Sequence, residues 1–512
     1  MSIDLTPLAR PFFLRRARRT DDWHDTASRL QRHELRHYLL SAAATEYGRR
    51  YGFAAIAASA EPEREFARRV PMVTYEDIRA DVMRMVRGEK DILWPGRCRH
   101  FAQSSGTSGG KSKYIPVTDD SLRLNHYPGA ADCVAHYLRL VPNSRIFAGK
   151  GFILGGSFAN ELNLKGCDAR VGDLSATLID RAPAGAQLFR VPSKRIALMS
   201  DWEEKLPALA EAALRSDVTN ISGVPSWFLG VIKKMLEISG KRTLHEIWPN
   251  LEVFFHGGIS FAPYRQEYER IVDPGRMHYL ETYNASEGFF AVQNDFRNPG
   301  MLLILDAGVY YEFLPVMSPD APPCGIESVE RGKVYELVIT SCNGLCRYRL
   351  GDTVRIESVS PLKITIAGRT RSFINAFGEE LMENNAEQAI AEACRQTGAA
   401  IRNYTAAPVY ASGGKRGRHE WLIEWLRMPQ SVEEFAALLD SELRRVNSDY
   451  DAKRNHTIFL DPLSVVTARP GLFDDWLRQA GTHKLGGQRK VPRLSNSREV
   501  IDSMLALNGS HG

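Results

Sequence analysis

At residues 104–111 the chain reads Ser104-Ser105-Gly106-Thr107-Ser108-Gly109-Gly110-Lys111. Glycine lets backbone N–H groups approach an anion closely, and hydroxyl groups and a lysine ammonium can complete such a site. The segment therefore predicts a loop that wraps phosphate groups, which makes a nucleotide the first ligand to consider. A flexible Gly/Ser connector is the plain alternative, but a strand-like segment follows at 113–117, which favours the phosphate loop.

The spacing of this loop differs from that of the common Walker A loop. A Walker A loop has four residues between its first glycine and the Gly-Lys-Ser/Thr that ends it. Here three residues separate Gly106 from Gly110. The opening Ser-Ser-Gly-Thr also has no role in a Walker loop, so we expect a phosphate loop of another kind.

Length, composition and charge exclude several classes of protein. A chain of 512 residues exceeds the usual limit for one hydrophobic core, so at least two domains are expected. The apolar share of 44% and charged share of 25% are ordinary for a soluble protein, and a net charge of +5 is too dilute to indicate nucleic acid binding. No apolar run approaches the length of a membrane span, so we expect no stable membrane insertion.

The cysteines indicate the compartment. Seven cysteines, scattered and odd in number, predict neither a disulfide framework nor a zinc site. Their usage fits a reducing cytoplasm. The sequence leaves the oligomeric state open.

Residues 1 to about 95 read as helical, and an alternation of strands and helices follows the phosphate loop. Such an alternation predicts an α/β domain with a largely parallel sheet. Short strands between Gly and Pro turns at about 301–367 predict a small β subdomain appended to that sheet. The alternating segments are strands at 151–156, 251–258 and 278–283 and helices at 202–215 and 226–239.

The last part of the chain, about 140 residues, has the pattern of a compact βαββαβ-like unit. The junction Ala367-Gly368-Arg369-Thr370 is a plausible hinge before it. We therefore predict an α/β protein with a large N-terminal domain, 1–368, built of mixed sheets, helices and a small β subdomain. A small, mobile α+β C-terminal domain, 369–512, completes it.

The motif Tyr348-Arg349-Leu350-Gly351-Asp352 follows a predicted strand at 333–341. It places a carboxylate after a tight turn, and a carboxylate can accept two hydrogen bonds from the vicinal hydroxyls of ribose. A Gly-Asp pair after a strand is otherwise most often a plain turn. Beside the other motifs, the ribose interpretation is favoured.

A second motif, Tyr283-Asn284-Ala285-Ser286-Glu287-Gly288, lies at the predicted end of a strand. Ligands of open α/β sheets bind at the carboxyl ends of the strands. Tyr283 could stack on a purine, Ser286 could contact the α-phosphate, and Glu287 could ligate Mg²⁺. The alternative is a polar strand-to-helix turn with Glu287 in the first helical turn, where the helix dipole favours it.

Two further segments carry candidate groups. Gly257-Gly258 permits either close approach to a flat ring or a sharp bend, and the neighbouring His256 could be a general base or a pocket wall. Near the C-terminus, Lys490 lies in a glycine-led loop, where its ammonium suits negative charge that develops at phosphorus. The alternative is an exposed basic surface.

Together and in this order, these motifs resemble the adenylate-forming superfamily of acyl-CoA synthetases, peptide-synthetase adenylation domains and luciferases. More closely, the chain resembles a bacterial member of the Gretchen Hagen-type acyl acid amido synthetases, the auxin-responsive family. The resemblance runs from about residue 60 to the end. The segments that carry it are 104–110, Trp248-Pro249-Asn250-Leu251, 285–288, Tyr311-Glu312-Phe313-Leu314-Pro315, 347–352, Asn447-Ser448-Asp449-Tyr450, Pro470-Gly471-Leu472-Phe473 and Gln488-Arg489-Lys490-Val491-Pro492-Arg493.

The resemblance implies roles for matching residues, with ATP and Mg²⁺ as cofactors. It implies catalytic roles for Lys490, Glu287 and Thr107, and magnesium binding by Glu287. One departure concerns Phe377-Gly378-Glu379-Glu380-Leu381, which resembles the generic adenylating loop and not the plant segment, so acceptor specificity is not carried over. The implied nucleotide-binding residues are Ser104, Ser105, Gly106, Thr107, Gly257, Gly258, Tyr283, Asn284, Ala285, Ser286, Tyr310, Asp352 and Arg369.

The function that the resemblance implies is a cytoplasmic two-step ligase. A small carboxylic acid would be activated as acyl-AMP, and an amine or amino acid would then take the acyl group as an amide. One alternative replaces the amine by a coenzyme A or carrier thiol, and another is a nucleotide-binding protein without catalysis. Residues between 120 and 230, with Phe152, Phe158, Trp227 and Phe228 as candidates, are expected to supply the acyl pocket or the core.

Overall fold

The described part of the computed structural model covers most of the chain. It comprises residues 3–104, 112–160, 162, 167–258, 261, 265–273, 275–316, 321–369, 373–410, 416–455, 460–479 and 491–509.

The first part of the chain is helical, as predicted. Pro62 occupies the first turn of its helix, where its missing N–H costs no hydrogen bond. Thr74 and Asp77 form a reciprocal capping box at the start of the last of these helices. The helices are α1 (Thr6–Arg19), α2 (Trp23–Ala42), α3 (Glu46–Tyr51), α4 (Phe53–Ala57), α5 (Pro62–Arg69) and α6 (Tyr75–Val86).

A hairpin and a group of helices come next. Strands β1 (His100–Ser104) and β2 (Lys113–Val117) are antiparallel, and β1 also pairs in parallel with β4. The remaining elements of this region are α7 (Asp119–Ser121), a π-helical turn (Leu122–His126), α8 (Tyr127–Leu140), β3 (Lys150–Ile153), β4 (Arg170–Gly172), α9 (Leu174–Arg181), a 3₁₀ turn (Ala184–Phe189), β5 (Arg190–Val191), α10 (Lys194–Ala197) and α11 (Trp202–Leu214).

The main sheet has a parallel part and an antiparallel part. Its parallel strands are β5, β3, β6, β7 and β8, in that spatial order, with helices between them in sequence. This confirms the predicted α/β domain. The elements are β6 (Val218–Gly223), α12 (Pro225–Ser239), α13 (Leu244–Ile247), β7 (Val253–Gly257), α14 (Arg265–Ile271) and β8 (His278–Ala285).

The short strands that follow continue the same sheet. Its full order is β11-β12-β13-β14-β10-β9-β8-β7-β6-β3-β5, so the short strands predicted as a β subdomain appended to the sheet are joined to it through β9 and β10. The strands are β9 (Gly288–Gln293), β10 (Met301–Leu303), β11 (Val309–Pro315), β12 (Val334–Ser341), β13 (Tyr348–Val359) and β14 (Leu362–Arg369), with a 3₁₀ turn at Ile326–Ser328.

The C-terminal part forms a separate three-stranded sheet, β17-β18-β19, covered by helices. Strands and helices alternate here as the βαββαβ-like pattern predicts, and the helices Ser448–Arg454 and Glu499–Gly509 are additional to that pattern. The elements are β15 (Phe373–Ile374), β16 (Leu381–Met382), α15 (Glu383–Thr397), β17 (Ala400–Val409), β18 (Arg418–Arg427), α16 (Val432–Val446), α17 (Ser448–Arg454), β19 (Ser464–Ala468), α18 (Leu472–Gln479) and α19 (Glu499–Gly509).

A cation–π contact joins the C-terminal part to the N-terminal part. The Lys453 ammonium lies 3.7 Å from the ring centroid of Trp227, and Lys453 is only 4% exposed. Burial lowers the pKa of Lys453 to about 8. A Cβ on Gly378 would lie 3.2 Å from Lys453 Cε and 3.3 Å from Trp227 Nε1, so the loop of Gly378 packs closely on this contact.

The predicted domain boundary at 368/369 falls just before the last residue of β14, which ends at Arg369, and β15 starts at Phe373. Thr370 of the predicted hinge lies outside the described residues. The boundary at 368/369 and the mobility of the C-terminal domain stay predictions.

A buried ion pair holds the residue that directly precedes β13. The Arg347 guanidinium donates to both carboxylate oxygens of Glu312 on β11, at 2.9 and 2.8 Å, and to the carbonyls of Ala67 and Val70 at 2.9 and 2.6 Å. Arg347 is 4% exposed and Glu312 is 5% exposed. The pair therefore ties β13 to β11 and to the end of α5.

We expect Arg347→Met to lower the free energy of unfolding by about 3–5 kcal/mol, because it leaves the Glu312 carboxylate buried without its main counter-charge. Urea denaturation followed by circular dichroism measures this loss. Arg355→Met is the matched control, because Arg355 lies on β13, which Arg347 directly precedes, and is exposed. Equal midpoints for the two variants would contradict a structural role for the buried pair.

Candidate active site

The predicted phosphate loop connects two strands. Ser104 ends β1 and is paired with Lys113 at the start of β2, so the loop lies at the tip of a hairpin. A Walker A loop runs from a strand into a helix, whereas this loop is followed by a strand. The difference agrees with the expectation that the loop is not of the Walker A kind. Ser105, Gly106 and Thr107 lie outside the described residues, and their roles stay predictions.

The base of this hairpin approaches the Tyr-Arg-Leu-Gly-Asp strand. Lys113 is buried, and its ammonium lies 3.5 Å from the hydroxyl oxygen of Tyr348 at the start of β13. The amide of Tyr114 donates to the hydroxyl of Tyr75 at 2.8 Å, which attaches β2 to α6 as well. The start of β2 thus lies beside the motif predicted to bind ribose.

A hydrogen bond joins two of the predicted motifs. The Tyr283 hydroxyl donates to the Asp352 carboxylate at 2.8 Å, and the Tyr283 ring meets Phe290 edge-on with the centroids 5.1 Å apart. Tyr283 is 4% exposed. These contacts place the Tyr283 hydroxyl on Asp352, and the predicted role of Tyr283 at a purine stays a prediction.

Asp352 lies within β13 and does not follow a tight turn, so that part of the sequence interpretation is wrong. Gly351 has a φ of +84°, and the β13–β14 register shifts directly after Thr353. This irregularity turns the strand locally while it continues to Val359. Arg369 is the backbone partner of Asp352 on β14, which places these two predicted residues opposite one another.

The Gly257-Gly258 pair serves a close approach between strands. A Cβ on Gly257 would lie 2.4 Å from the Thr282 carbonyl oxygen and 3.1 Å from Asn284 Oδ1. Gly258 has a φ of +82°, which side chains other than glycine rarely adopt. Gly257 therefore lets β7 lie against the Asn284 side chain, and Gly258 makes the bend that follows.

Asn284 and Ala285 end β8, and Ser286 begins the turn to β9; all three residues are half-buried. The alternative interpretation, a strand-to-helix turn with Glu287 in a helix, is wrong, because the chain continues as the antiparallel strand β9. The helix dipole consequently has no part in the placement of Glu287.

Two asparagines that the sequence analysis missed hold this turn. Asn343 donates to the Glu287 carbonyl at 3.0 Å. Asn125 accepts from the Phe289 amide at 2.6 Å and donates to the Phe289 carbonyl at 3.0 Å. Asn125 lies in the π-helical turn, a feature that often marks functional sites, and no sequence pattern predicts such a turn.

Glu287 is the single predicted metal ligand, and it is 8% exposed. Among the described residues no group of three or more His, Cys, Asp or Glu side chains could hold a metal ion. Mg²⁺ is usually held by one or two carboxylates together with substrate phosphates. The single carboxylate of Glu287 therefore fits a Mg²⁺ ion whose other ligands include the phosphates of ATP.

Several predicted residues lie elsewhere. Tyr310 packs against Phe66 of α5 at 6.2 Å, whereas its neighbour Tyr311 faces Phe290, so adjacent side chains on β11 point to opposite faces. The structure therefore does not bring Tyr310 to the Tyr283–Asp352 pair. Phe152 and Phe228 are fully buried and pack on each other, which makes them core residues. Lys490 lies outside the described residues.

His256 is a pocket wall and a poor base. It is 4% exposed, and burial, aided by the charge of Arg265, lowers its pKa to about 3. A general base works best when its pKa lies near the working pH. His256 is therefore neutral at pH 7 and too weak a proton acceptor for that role.

The chain shares its fold with solved structures of an amido synthetase and of a CoA ligase. The chain is similar to the solved GH3.15 acyl acid amido synthetase, with a TM-score of 0.59, 20% identity and coverage of 97% of this chain and 96% of that one. It is also similar to a 2-hydroxyisobutyryl-CoA ligase in complex with 2-HIB-AMP and CoA, with a TM-score of 0.54, 14% identity and coverage of 94% and 92%.

The chain belongs to the GH3 family. The family's N-terminal domain matches residues 16–276, its central domain residues 302–369 and its C-terminal domain residues 384–499. Curated relatives include a probable indole-3-acetic acid-amido synthetase GH3.1 of Oryza sativa subsp. japonica, 25% identical over 93% of this chain and 88% of the relative. A jasmonoyl-L-amino acid synthetase GH3.5 of the same organism is 25% identical over 64% and 68%.

We expect Tyr283→Phe to weaken ATP binding about tenfold, because the Asp352 carboxylate loses a donor whose bond to a charged group is worth roughly 1.5 kcal/mol. Isothermal titration calorimetry measures the affinity. Tyr335→Phe is the matched control, because its hydroxyl accepts from the Glu330 amide, away from this site. An unchanged affinity in Tyr283→Phe would contradict the positioning role.

Proposed function

We propose that this protein activates a carboxylic acid with ATP and transfers the acyl group to an amine or amino acid. Two contacts carry the proposal. The hairpin that bears the predicted phosphate loop contacts β13 through Lys113 and Tyr348. The Asp352 carboxylate, also on β13, accepts a hydrogen bond from the Tyr283 hydroxyl. The names of the curated relatives support the same reaction: an amido synthetase matches 93% of this chain, and a jasmonoyl-L-amino acid synthetase matches 64% of it.

In the first step, the substrate carboxylate oxygen attacks the α-phosphorus of ATP, and pyrophosphate leaves. Asp352 would hold the ribose hydroxyls, and the hairpin loop from Ser104 onward would hold the phosphates. Glu287 would bind Mg²⁺, which supplies neutralising charge to phosphate oxygens. Lys490 would stabilise the negative charge that develops at phosphorus.

In the second step, the amine nitrogen attacks the carbonyl carbon of the acyl-AMP, AMP leaves, and the nitrogen loses a proton. The amine must arrive neutral, and His256 is too weak a base to deprotonate it. A rotation of the C-terminal domain near Gly368 and Arg369 would exchange the groups that serve the two steps. The contact between Lys453 and Trp227 would hold one of the two arrangements.

Transfer to a thiol is the competing second step. The fold is shared with a CoA ligase, and fold alone does not choose between acceptors. The amine is favoured because the relatives that match 93% of this chain are named amido synthetases.

The proposed location is the cytoplasm. All seven cysteines fall among the described residues and are free thiols, as expected in a reducing compartment. Among the described residues, no helix combines the length and apolar character needed to cross a bilayer.

We expect acid-dependent ATP–pyrophosphate exchange in the presence of Mg²⁺, and we expect Lys490→Ala to reduce it by roughly 10²-fold or more, since one preorganised charge stabiliser commonly contributes that much. A screen of aromatic, indole, fatty and hydroxy acids with labelled pyrophosphate measures exchange. Lys241→Ala, at an exposed lysine, is the control.

No exchange with any acid, from protein that binds ATP, would replace this proposal by a nucleotide-binding protein without catalysis. Full exchange in Lys490→Ala would show that another group supplies the charge.

A further inference from the structure

The exposed face of α1 carries only apolar and basic side chains. The helix contains no Asp or Glu, and Leu8 and Phe12 are 80% and 73% exposed. Arg15 and Arg19 are exposed as well. Spacings of four, three and four residues place these four side chains in one stripe, roughly 16 Å long. The stripe is apolar toward the start of the helix and basic toward its end.

Two other arginines of α1 hold the helix from its inner side. Arg10 donates to the carbonyl of Leu138 in α8 at 2.8 Å. Arg16 donates to the carboxylates of Asp132 and Asp306 at 2.6 and 2.5 Å. The outer stripe is therefore presented in a fixed orientation.

The outer arginines carry charge that the described residues do not pair. Arg15, Arg18 and Arg19 are exposed and form no ion pair within the described part of the chain. Past the end of the helix, Asp21 pairs with an arginine of α8 at 2.6 Å, and Asp22 opposes at most one of the three charges. The end of α1 therefore stays positive.

A row of phenylalanine rings extends the apolar part to a second segment. Phe12 meets Phe13 with the ring centroids 5.5 Å apart, Phe13 stacks on Phe147 at 5.6 Å, and Phe147 meets Phe189 at 6.5 Å. Phe189 ends the 3₁₀ turn after α9 and is 41% exposed, and its neighbour Leu188 is 73% exposed. The row thus joins α1 and this turn in one surface.

Apolar exposure is concentrated on this surface. Among the described residues, five large apolar side chains are at least 70% exposed, and four of them belong to it. Apolar residues scattered singly over a surface are ordinary, whereas a cluster of them marks an interaction site. The α1 surface, as we call it, comprises Ile3, Leu8, Phe12, Arg15, Arg18, Arg19, Leu188 and Phe189.

We propose that the α1 surface docks the protein reversibly on an anionic lipid bilayer. Guanidinium groups match phosphate oxygens in a bidentate geometry, so the three arginines bind lipid headgroups. The protruding apolar side chains enter the boundary between headgroups and acyl chains, as those of interfacial helices do. A fluid bilayer accepts such side chains without a matching set of pockets, which a protein partner would have to supply.

The test is co-sedimentation of the full chain with vesicles of phosphatidylcholine, either alone or mixed with phosphatidylserine. We expect binding to the mixed vesicles to be at least about tenfold tighter at low salt, because each basic residue near an anionic surface contributes roughly fivefold. High salt should abolish most of this preference, since it screens exposed charges. No ATP or acid is needed, so the inference is independent of the proposed function.

Two variants separate the basic and apolar contributions. The triple variant Arg15→Gln/Arg18→Gln/Arg19→Gln should bind the mixed vesicles at least about tenfold more weakly. The double variant Leu8→Ser/Phe12→Ser should also bind more weakly, because it removes side chains that enter the bilayer. Circular dichroism confirms that each variant is folded.

The control variant, Lys233→Gln/Lys241→Gln/Arg242→Gln, removes the same charge from α12 and the residues after it. These three residues are exposed and form no ion pair among the described residues. The control should bind as the wild type does.

This control lies on the other side of the main sheet. Phe228 of α12 packs on Phe254, whereas Tyr137 of α8, the helix that holds α1, packs on Phe255. Adjacent residues of a strand point to opposite faces, so α12 and the α8–α1 pair cover different faces of the sheet.

Equal binding to both kinds of vesicle, or full binding by the triple arginine variant, would overturn the inference. An equal loss in the control variant would overturn it as well, because total charge and not the α1 surface would then decide binding. Self-association of the wild type in light scattering that Leu8→Ser/Phe12→Ser abolishes would instead make this surface an interface between copies of the chain.

Discussion

The hydrogen bond from Tyr283 to Asp352 constrains the whole N-terminal part. It joins β8 to β13, which stand four strand spacings apart in the sheet order, roughly 19 Å in a flat sheet. Two side chains cannot reach across that distance, so the sheet must curl until its two motifs face each other. The contact between Phe290 of β9 and Tyr311 of β11, with ring centroids 6.3 Å apart, requires the same curl.

The strands carry the irregularities that such a curl needs. Register shifts occur in the β12–β13, β13–β14 and β8–β9 pairs, and Gly351 takes a positive φ beside Asp352. Bulges increase local twist and re-aim side chains. The buried pair of Arg347 and Glu312 then anchors the strand that carries Asp352, so the site depends on contacts some distance from it.

The sequence predicted the elements better than their assembly. Phosphate-loop flanks, helix bounds and strand ends follow local propensity and glycine or proline signals, and they agree with β1, β2, α11 and α12. Long-range pairing is different, because nothing local shows that the strands after residue 300 extend the main sheet. The in-strand position of Asp352 and the hydrogen bond between Tyr283 and Asp352 were missed for that reason.

The same distinction between local pattern and long-range packing applies to the candidate site residues. Motif residues such as Asp352, Tyr283 and Gly257 could be named from the sequence, but Asn125 could not, because its role arises from a π-helical turn packed on β9. The acyl pocket expected between residues 120 and 230 stays a prediction.

The identity of the product tests the central claim most directly. The enzyme is incubated with ATP, Mg²⁺ and its best acid, either with pooled amino acids and polyamines or with coenzyme A, and the products are weighed by mass spectrometry. The account predicts an amide, with AMP released, in an amine pool. A coenzyme A thioester with no amide in any pool would contradict it.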